Sequence, residues 1–214
     1  MHTRRLLIVE DEPMVAALLN DSLSSQGFDI RTAASAAEAK QVTRGFDPDI
    51  AILDINLGQG MNGVDLAYVL SQQHPGLAIL MLTQHPDLRT AGFEPSDLPS
   101  GAGFLRKDAV KGRADIMSAL AELVANRSDF VRQDADPRRP LANLTPTQVE
   151  VLRMVAQGYT NQEIARRRNT STRAVEGVLN VVFLALGISN TEGINQRVEA
   201  VRLFVSAAGT PDRS

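Results

Sequence analysis

The feature that most constrains the fold is an alternation, in the first half of the chain, of short apolar runs with amphipathic stretches. The runs are LLIV (6–9), DIRTAA (29–34), DIAILDI (49–55), AILMLT (78–83) and GFLR (103–106). Strands that alternate with helices in this way are typical of a parallel sheet covered by helices on both faces. The sequence therefore predicts an α/β domain with five strands and four or five helices.

Punctuating residues place several helices in this half. Pro13 is favoured in the first turn of a helix and Gly27 is typical of a helix end, so a first helix should lie between them. Apolar residues at near-helical spacing predict a helix over about 63–73 and a last helix near 113–126.

The composition becomes polar between residues 127 and 140, and this segment is predicted to be a linker. Beyond it the pattern is wholly helical. Two pairs have capping-box spacing, Thr145 with Gln148 and Thr160 with Glu163, and each marks a helix start. Further capping residues and a glycine indicate two more helices up to about residue 206, so four short helices are predicted after the linker.

These boundaries predict two domains, over residues 1–126 and 141–208, followed by a disordered tail over 209–214. A chain of 214 residues suits two small domains better than one, because single domains usually span roughly 100–200 residues.

Composition narrows the functional classes. The chain has no cysteine, which excludes disulfides and thiolate metal sites. No apolar run approaches the roughly 18–20 residues that span a bilayer, and no signal peptide is evident, so a soluble cytoplasmic protein with no membrane partner is expected. Residues 141–214 carry a net charge of +2, whereas residues 1–140 carry −5. The positive charge of the second half permits DNA binding but does not by itself indicate it.

Polar side chains stand where four of the predicted strands end. Glu10 and Asp11 follow the first run, Asp54 lies near the end of the third, Thr83 closes the fourth, and Lys107 follows the fifth. The carboxyl ends of neighbouring parallel strands meet at one crevice, where gathered carboxylates would repel one another unless a hard cation such as Mg²⁺ were bound. The set predicts a phosphoryl-transfer site. In it Asp54 attacks an activated phosphoryl group, whose oxygens are neutralised by the metal and Lys107 and accept a hydrogen bond from Thr83.

Each of these residues alone has a more common structural explanation. An acid after an apolar run is commonly a helix cap or part of a solvated turn, a threonine at a strand end is commonly structural, and a lone lysine is commonly a surface charge. The occurrence of all four features in strand order favours the site.

Four segments, VEDEP (9–13), ILDINL (52–57), MLT (81–83) and FLRKD (104–108), resemble the receiver domain of two-component response regulators. The resemblance covers roughly residues 4–126. It implies a flavodoxin-like α/β fold with a five-stranded parallel sheet in the order 2-1-3-4-5.

The same resemblance implies a role for individual residues. Asp54 would be the phosphoacceptor. The metal would be held by Glu10, Asp11, Asp54 and the backbone carbonyl of Asn56, and phosphoryl binding and switching would involve Thr83, Lys107 and Phe104.

Two segments depart from the receiver pattern. The loop GQGMNG (58–63) replaces a proline-containing loop and has one extra residue. Between Thr83 and Lys107 the chain carries Pro86, Pro95 and Pro99, where receivers normally have their fourth helix. Proline inside a helix costs about 3 kcal/mol or more, so this helix is expected to be short, shifted or absent.

Residues 144–188 resemble the four-helix DNA-binding domain of LuxR/NarL-type regulators through T-P-T-Q-x-E-V-L, G-Y-T-N-Q-E-I-A, S-T-R-A-V-E and L-G-I. The resemblance implies a small all-α helix-turn-helix domain. Its helix over 160–168 would be the scaffold, and its helix over about 171–186 would enter the major groove. The candidate DNA contacts are Thr160, Asn161, Thr172, Arg173, Glu176, Arg166, Arg167 and Arg168. For the last three, a solvated face with salt bridges is an equally good explanation.

The predicted recognition helix has no basic residue after Arg173, whereas members of this class commonly carry some there. Either DNA is bound weakly or with altered specificity, or this helix face contacts protein instead. The final helix resembles the dimerisation helix of the class, with Ile194, Val198 and Val201 as candidate contacts.

The resulting hypothesis is a homodimeric response regulator, not an enzyme, that a sensor histidine kinase phosphorylates on Asp54 and that controls transcription from paired half-sites on double-stranded DNA. The alternative is a protein-binding module, a phosphate sink or antagonist, whose helix-turn-helix does not bind DNA strongly. A hydrolase is disfavoured because the chain lacks a P-loop, a G-x-S-x-G motif and a cluster of zinc ligands.

Overall fold

The computed structural model describes residues 3–125, 127–132, 141, 143–188, 195–208 and 211. The chain forms two compact units. The first comprises residues 1–84 and 96–134, and the second comprises residues 85–95 and 135–214. No helix in the described ranges is long and apolar enough to cross a membrane.

The first unit is built on a five-stranded, fully parallel sheet in the order β2-β1-β3-β4-β5, which confirms the predicted fold class. Its strands are β1 (Arg5–Val9), β2 (Asp29–Ala33), β3 (Ile50–Leu53), β4 (Ala78–Thr83) and β5 (Gly103–Arg106). Its helices are α1 (Pro13–Ser24), α2 (Ala36–Phe46), α3 (Gly63–Gln73) and α4 (Arg113–Val124).

Burial explains why the central strands read as unbroken apolar runs. Every residue of β3, and every residue of β1 after Arg5, is buried, because helices cover both faces of the parallel sheet. The edge strand β2 exposes most of its residues, as its mixed sequence predicts. One continuous core contains side chains of β1, β3, β4, α1 and α4. This core holds the strands in place and so positions the residues at their carboxyl ends.

The segment after β4, where the prolines predicted a short, shifted or absent helix, contains no α-helix. One short 3₁₀ turn, Pro95–Asp97, is its only helical element in the described structure. Asp87 and Thr90 close a tight turn. The Thr90 amide donates to Asp87 Oδ1 over 2.8 Å, and the Thr90 hydroxyl donates to the Asp87 carbonyl over 2.7 Å. Both side chains are buried, and these hydrogen bonds satisfy Asp87 Oδ1 and the Thr90 hydroxyl.

The second unit contains α5 (Pro146–Ala156), α6 (Asn161–Arg167), α7 (Thr172–Ala185) and α8 (Gln196–Ala208), the predicted four short helices. Two apolar clusters, one between α5, α7 and α8 and one between α5, α6 and α7, form its core. Residues 85–95 belong to this unit, where the Arg153 guanidinium of α5 donates to the Thr90 carbonyl.

These units differ from the predicted domain ranges in two places. Residues 85–95 fall in the second unit, although the sequence placed them in the first domain. The start of the predicted linker belongs to the first unit, where Ser128–Val131 form a 3₁₀ turn and Val131 packs in the core beside Leu123. Residues 133–140, and the predicted tail except Pro211, lie outside the described residues.

The two predicted capping boxes have different outcomes. At Thr145 both hydrogen bonds are present, since the hydroxyl accepts from the Gln148 amide and the Gln148 side chain accepts from the Thr145 amide. At Thr160 only the first bond forms, because the Glu163 carboxylate is bound by arginines instead. The second capping box therefore has only one of its two predicted hydrogen bonds.

Gly63, the first residue of α3, has no room for a side chain. A Cβ atom built there would lie 1.8 Å from the carbonyl oxygen of Asp54. Gly63→Ala should therefore displace the backbone at Asp54 and destabilise the protein by about 3 kcal/mol or more. Denaturant unfolding of the purified variant measures this loss.

Gly45→Ala is the matched control. Gly45 lies inside α2 with no atom within 4 Å of its built Cβ, so alanine there should be neutral or stabilise by up to about 1 kcal/mol. Equal unfolding midpoints for the two variants would contradict the steric argument at Gly63.

Candidate functional site

The carboxyl end of the sheet brings the predicted polar residues of the first unit to one edge. Glu10 follows β1, Asp54 follows β3, Thr83 ends β4 and Lys107 follows β5. Because β3 lies between β1 and β4, Asp54 stands in the middle of this edge.

Lys107 joins two of the carboxylates. Its Nζ lies 2.6 Å from Glu10 Oε2 and 2.7 Å from Asp54 Oδ2, and both acids are almost completely buried. Burial alone would lower the pKa of Lys107, but its hydrogen bonds and charge interactions with Asp54 and Glu10 outweigh burial and raise that pKa. Lys107 is therefore a permanent cation at neutral pH.

The acids nevertheless outnumber the lysine. Burial raises the pKa of Glu10, and the nearby charge of Asp54 acts in the same direction, although the Lys107 hydrogen bond opposes both. One carboxylate oxygen from each of Glu10, Asp11 and Asp54 can be chosen so that all lie within 4.8 Å of one another. Three carboxylates against one ammonium group leave negative charge that a hard cation with oxygen ligands would compensate. Asp11 is exposed, so it stands at the open side of the cluster.

The remaining predicted residues occupy positions around Asp54. The backbone amide nitrogen of Asn56 lies 3.4 Å from Asp54 Oδ1. Thr83 is fully buried and pairs in register with Arg106, the residue before Lys107. Phe104, three residues before the lysine, is fully buried and pairs with Met81.

Two glycines at this edge were not predicted as site residues. Gly63 donates its amide to the Ile55 carbonyl over 2.8 Å and packs against the Asp54 carbonyl. Gly58 has a positive φ of 69° and lies against the Asp11 carboxylate. The glycine-rich loop was visible in the sequence, but its approach to the acids depends on how the loop returns to α3.

In the second unit, the predicted DNA contacts at the start of α7 are exposed. Ser171 caps this helix by accepting from the Ala174 amide, so Thr172, Arg173 and Glu176 lie on its first turns. Farther along the same helix, Val181 and Leu184 are exposed large apolar residues.

The arginines of α6 are paired with acids. Arg166 and Arg167 both bind Glu163, at 2.7 and 2.9 Å, and Arg168 binds Glu150. Hydrogen bonds from Arg166 and Arg167 lower the pKa of Glu163 to about 2, so this carboxylate stays ionised. Of the two explanations left open by the sequence, the geometry favours a solvated face with salt bridges over three free phosphate ligands.

At the start of α6, Thr160 is exposed and the Asn161 side chain is bonded to Arg197, a residue that no sequence motif indicated. On α8, Val198 is 64% exposed, whereas Val201 is half-buried against the core. Ile194 lies outside the described residues, so the predicted dimerisation set is only partly visible.

Comparison with known proteins identifies both units. Residues 6–94 match the response regulator receiver domain family, and residues 142–204 match the family of bacterial regulatory proteins called the luxR family. The transcriptional activator protein ExaE of Pseudomonas putida is 29% identical over 220 residues, covering 94% of this chain and 99% of that protein. The transcriptional activator DevR/DosR of Mycobacterium tuberculosis is 27% identical over 197 residues, covering 86% of this chain and 88% of that protein.

Solved structures show the same fold. RcsB of Salmonella enterica serovar Typhimurium, bound to a promoter in the presence of the phosphomimetic BeF3-, has a TM-score of 0.61 at 20% identity, covering 96% of this chain and 100% of that chain. A CheY-like receiver domain protein of Methanospirillum hungatei has a TM-score of 0.52 at 22% identity, covering 60% of this chain and 99% of that chain. With the two family matches and the strand order 2-1-3-4-5, the chain belongs to the response regulators that carry a receiver domain and a LuxR-type DNA-binding domain.

Proposed function

We propose that a sensor histidine kinase phosphorylates this protein on Asp54, and that phosphorylation controls transcription through the second unit. The observation that carries the proposal is the position of Asp54, buried at the centre of the sheet edge with its carboxylate 2.7 Å from Lys107 Nζ and clustered with Glu10 and Asp11. A nucleophile held among a fixed cation and potential metal ligands is the arrangement that phosphoryl transfer requires.

The transfer balances with the residues at this edge. An Asp54 oxygen forms a bond to phosphorus as the bond from phosphorus to the donor's imidazole nitrogen breaks, and the imidazole leaves. Lys107 neutralises the phosphoryl oxygens, and the hydroxyl of Thr83 donates to one of them. Mg²⁺, held by Glu10, Asp11, Asp54 and the carbonyl of Asn56, would supply further charge compensation when bound.

For the output, we propose binding of a homodimer to paired half-sites on double-stranded DNA. The relative ExaE is named a transcriptional activator, and RcsB was solved on promoter DNA. In this chain the exposed first turn of α7, with Arg173, is the part suited to base edges, while α8 carries the exposed Val198 for a dimer contact.

A second candidate is a phosphorylation-controlled protein-binding module. It is favoured by one observation: α7 carries exposed Val181 and Leu184, and no basic residue follows Arg173 along it. Exposed apolar surface of this kind usually marks a protein contact.

The deciding experiment is selection of DNA sites from a random pool by the purified full-length protein, after treatment with a small phosphodonor, for the wild type and Asp54→Ala. The phosphorylated wild type should gain the mass of one phosphoryl group and enrich a site, and Asp54→Ala should do neither. Phosphorylation without any salt-dependent DNA affinity would favour the protein-binding module.

Metal binding has a separate test. Mg²⁺ should raise the melting temperature of the wild type, because a ligand at 100 times its Kd stabilises by about 2.7 kcal/mol. Asp11→Asn should lose most of this stabilisation. Asp21→Asn, which removes an exposed acid of α1 away from the cluster, should keep it. Equal responses of the two variants would exclude Asp11 as a ligand.

The pairing of the arginines predicts which of them contribute to DNA affinity. Arg173 is exposed and has no acid within 4 Å in the described structure, so Arg173→Gln should weaken binding to a selected site by about 1–3 kcal/mol and relax the preference at one base pair. Arg166→Gln should change the affinity little, since Arg166 is already paired with Glu163. Titrations of both variants on the selected site decide, and a larger loss at Arg166 would refute the assignment.

A further inference from the structure

Arg197, at the second position of α8, is held by the first residue of α6 and by the turn that precedes this helix. Its Nη1 donates to Asn161 Oδ1 over 2.7 Å, and its Nη2 donates to the Tyr159 carbonyl over 2.5 Å. Both acceptors are neutral. The guanidinium is thus fixed in position while its charge is not compensated by either partner.

The other arginines of these helices differ in this respect. Arg166, Arg167, Arg168 and Arg202 each bind a carboxylate, whereas Arg197 has none within 4 Å in the described part of the chain. Partial burial lowers the pKa of Arg197, as expected for a cation that is removed from water without a counter-ion. An anion would relieve this cost.

The bond to Arg197 also orients its neighbour. Because Asn161 Oδ1 accepts from the guanidinium, the Asn161 amide nitrogen keeps its two hydrogens for another partner. Thr160 is exposed, and its oxygen accepts from the Glu163 amide, so its hydroxyl hydrogen can be donated outward. These two side chains therefore present donors.

The guanidinium contributes donors as well. Arginine has five N–H groups, and two of those of Arg197 are used by its neutral partners. Arg197 is only partly buried, and its Nε is not among the buried nitrogens that lack a partner, so this N–H group is open to solvent. Thr160, Asn161 and Arg197 line one shallow depression that contains no carboxylate side chain.

We propose that this depression binds one phosphate of the DNA backbone, with Arg197 supplying the charge and fixing the Asn161 amide as a second donor. The inference rests on the proposed DNA-binding function and adds Arg197 to its contacts. A phosphate offers several acceptor oxygens to a guanidinium fork, and the helix that precedes a recognition helix crosses the DNA backbone. Three donor groups on a fixed frame fit that ligand better than they fit a base edge.

The alternative is a structural clamp, in which Arg197 only ties α8 to the turn before α6. The variant Asn161→Asp separates the two roles. A carboxylate at this position would still accept from Arg197 and strengthen the clamp, but it would remove the amide donors and cancel the charge. A clamp predicts unchanged or improved DNA affinity, whereas a phosphate site predicts a loss.

The test measures Kd for a selected DNA site at several salt concentrations, with the phosphorylated full-length protein. Arg197→Gln and Asn161→Asp should each weaken binding and make the salt slope less steep by about 0.9, the value for one phosphate. Arg202→Gln is the control, because it removes the same charge from α8 at an exposed position paired with Glu199. Its slope should stay that of the wild type, and Arg197→Lys should retain most of the slope.

Each other result overturns the inference. Weaker binding by Arg197→Gln at an unchanged slope, with Asn161→Asp binding normally, would establish the clamp. An equal slope change in Arg202→Gln would show a general charge effect rather than a site. If Arg197→Gln melts at a lower temperature, Asn161→Asp still decides, since it keeps the acceptor. If the wild type shows no salt-dependent binding, the proposed DNA-binding function itself fails and this contact falls with it.

Discussion

The ammonium group of Lys107, placed between Glu10 and Asp54, is the interaction on which the rest of the first unit depends. It joins the ends of β1, β3 and β5, strands that are not all neighbours in the sheet. Removing one partner from a buried ion pair typically costs about 3–5 kcal/mol, since the remaining charge is left uncompensated. The core beneath the site must therefore keep the strands in one register, and the long apolar runs of β1, β3 and β4 do so.

The second unit distributes its charge differently. Most of its described arginines are bound to acids of their own or a neighbouring helix, so a modest net positive charge overstates what is available to an external anion. The local arrangement decides more than the total. Arg173 and Arg197 have no carboxylate within 4 Å among the described residues, and Arg197 is bonded to an amide oxygen and a backbone carbonyl instead.

The strands, the helix starts and the cluster around Asp54 could be predicted from sequence because their causes are local. An apolar run predicts a buried strand, and residues at strand ends meet wherever parallel strands are neighbours. Other features needed tertiary information. The prolines predicted that a helix after Thr83 would be short, shifted or absent, but they could not show which core residues 85–95 would join. The sequence spacing predicted that the Glu163 side chain would accept a hydrogen bond from the Thr160 backbone amide. Its carboxylate pairs with Arg166 and Arg167 instead, because the choice of partner depends on side-chain conformation. Arg197 and Asn161 are 36 positions apart, and no local pattern connects them.

Because residues 85–95 belong to the second unit, they affect whether the two units can be exchanged as separate modules. In a two-domain regulator, the output domain could be exchanged by cutting in the linker if each half folded as a separate unit. Here a fragment that began at residue 141 would lack the Thr90 carbonyl that receives the half-buried Arg153 guanidinium, and would lack the buried Leu88 of the same segment. The output unit is thus assembled from two separate stretches of chain. One of those stretches begins two residues after Thr83, so evolution or engineering can replace the unit intact only by also replacing the segment that leaves the end of β4.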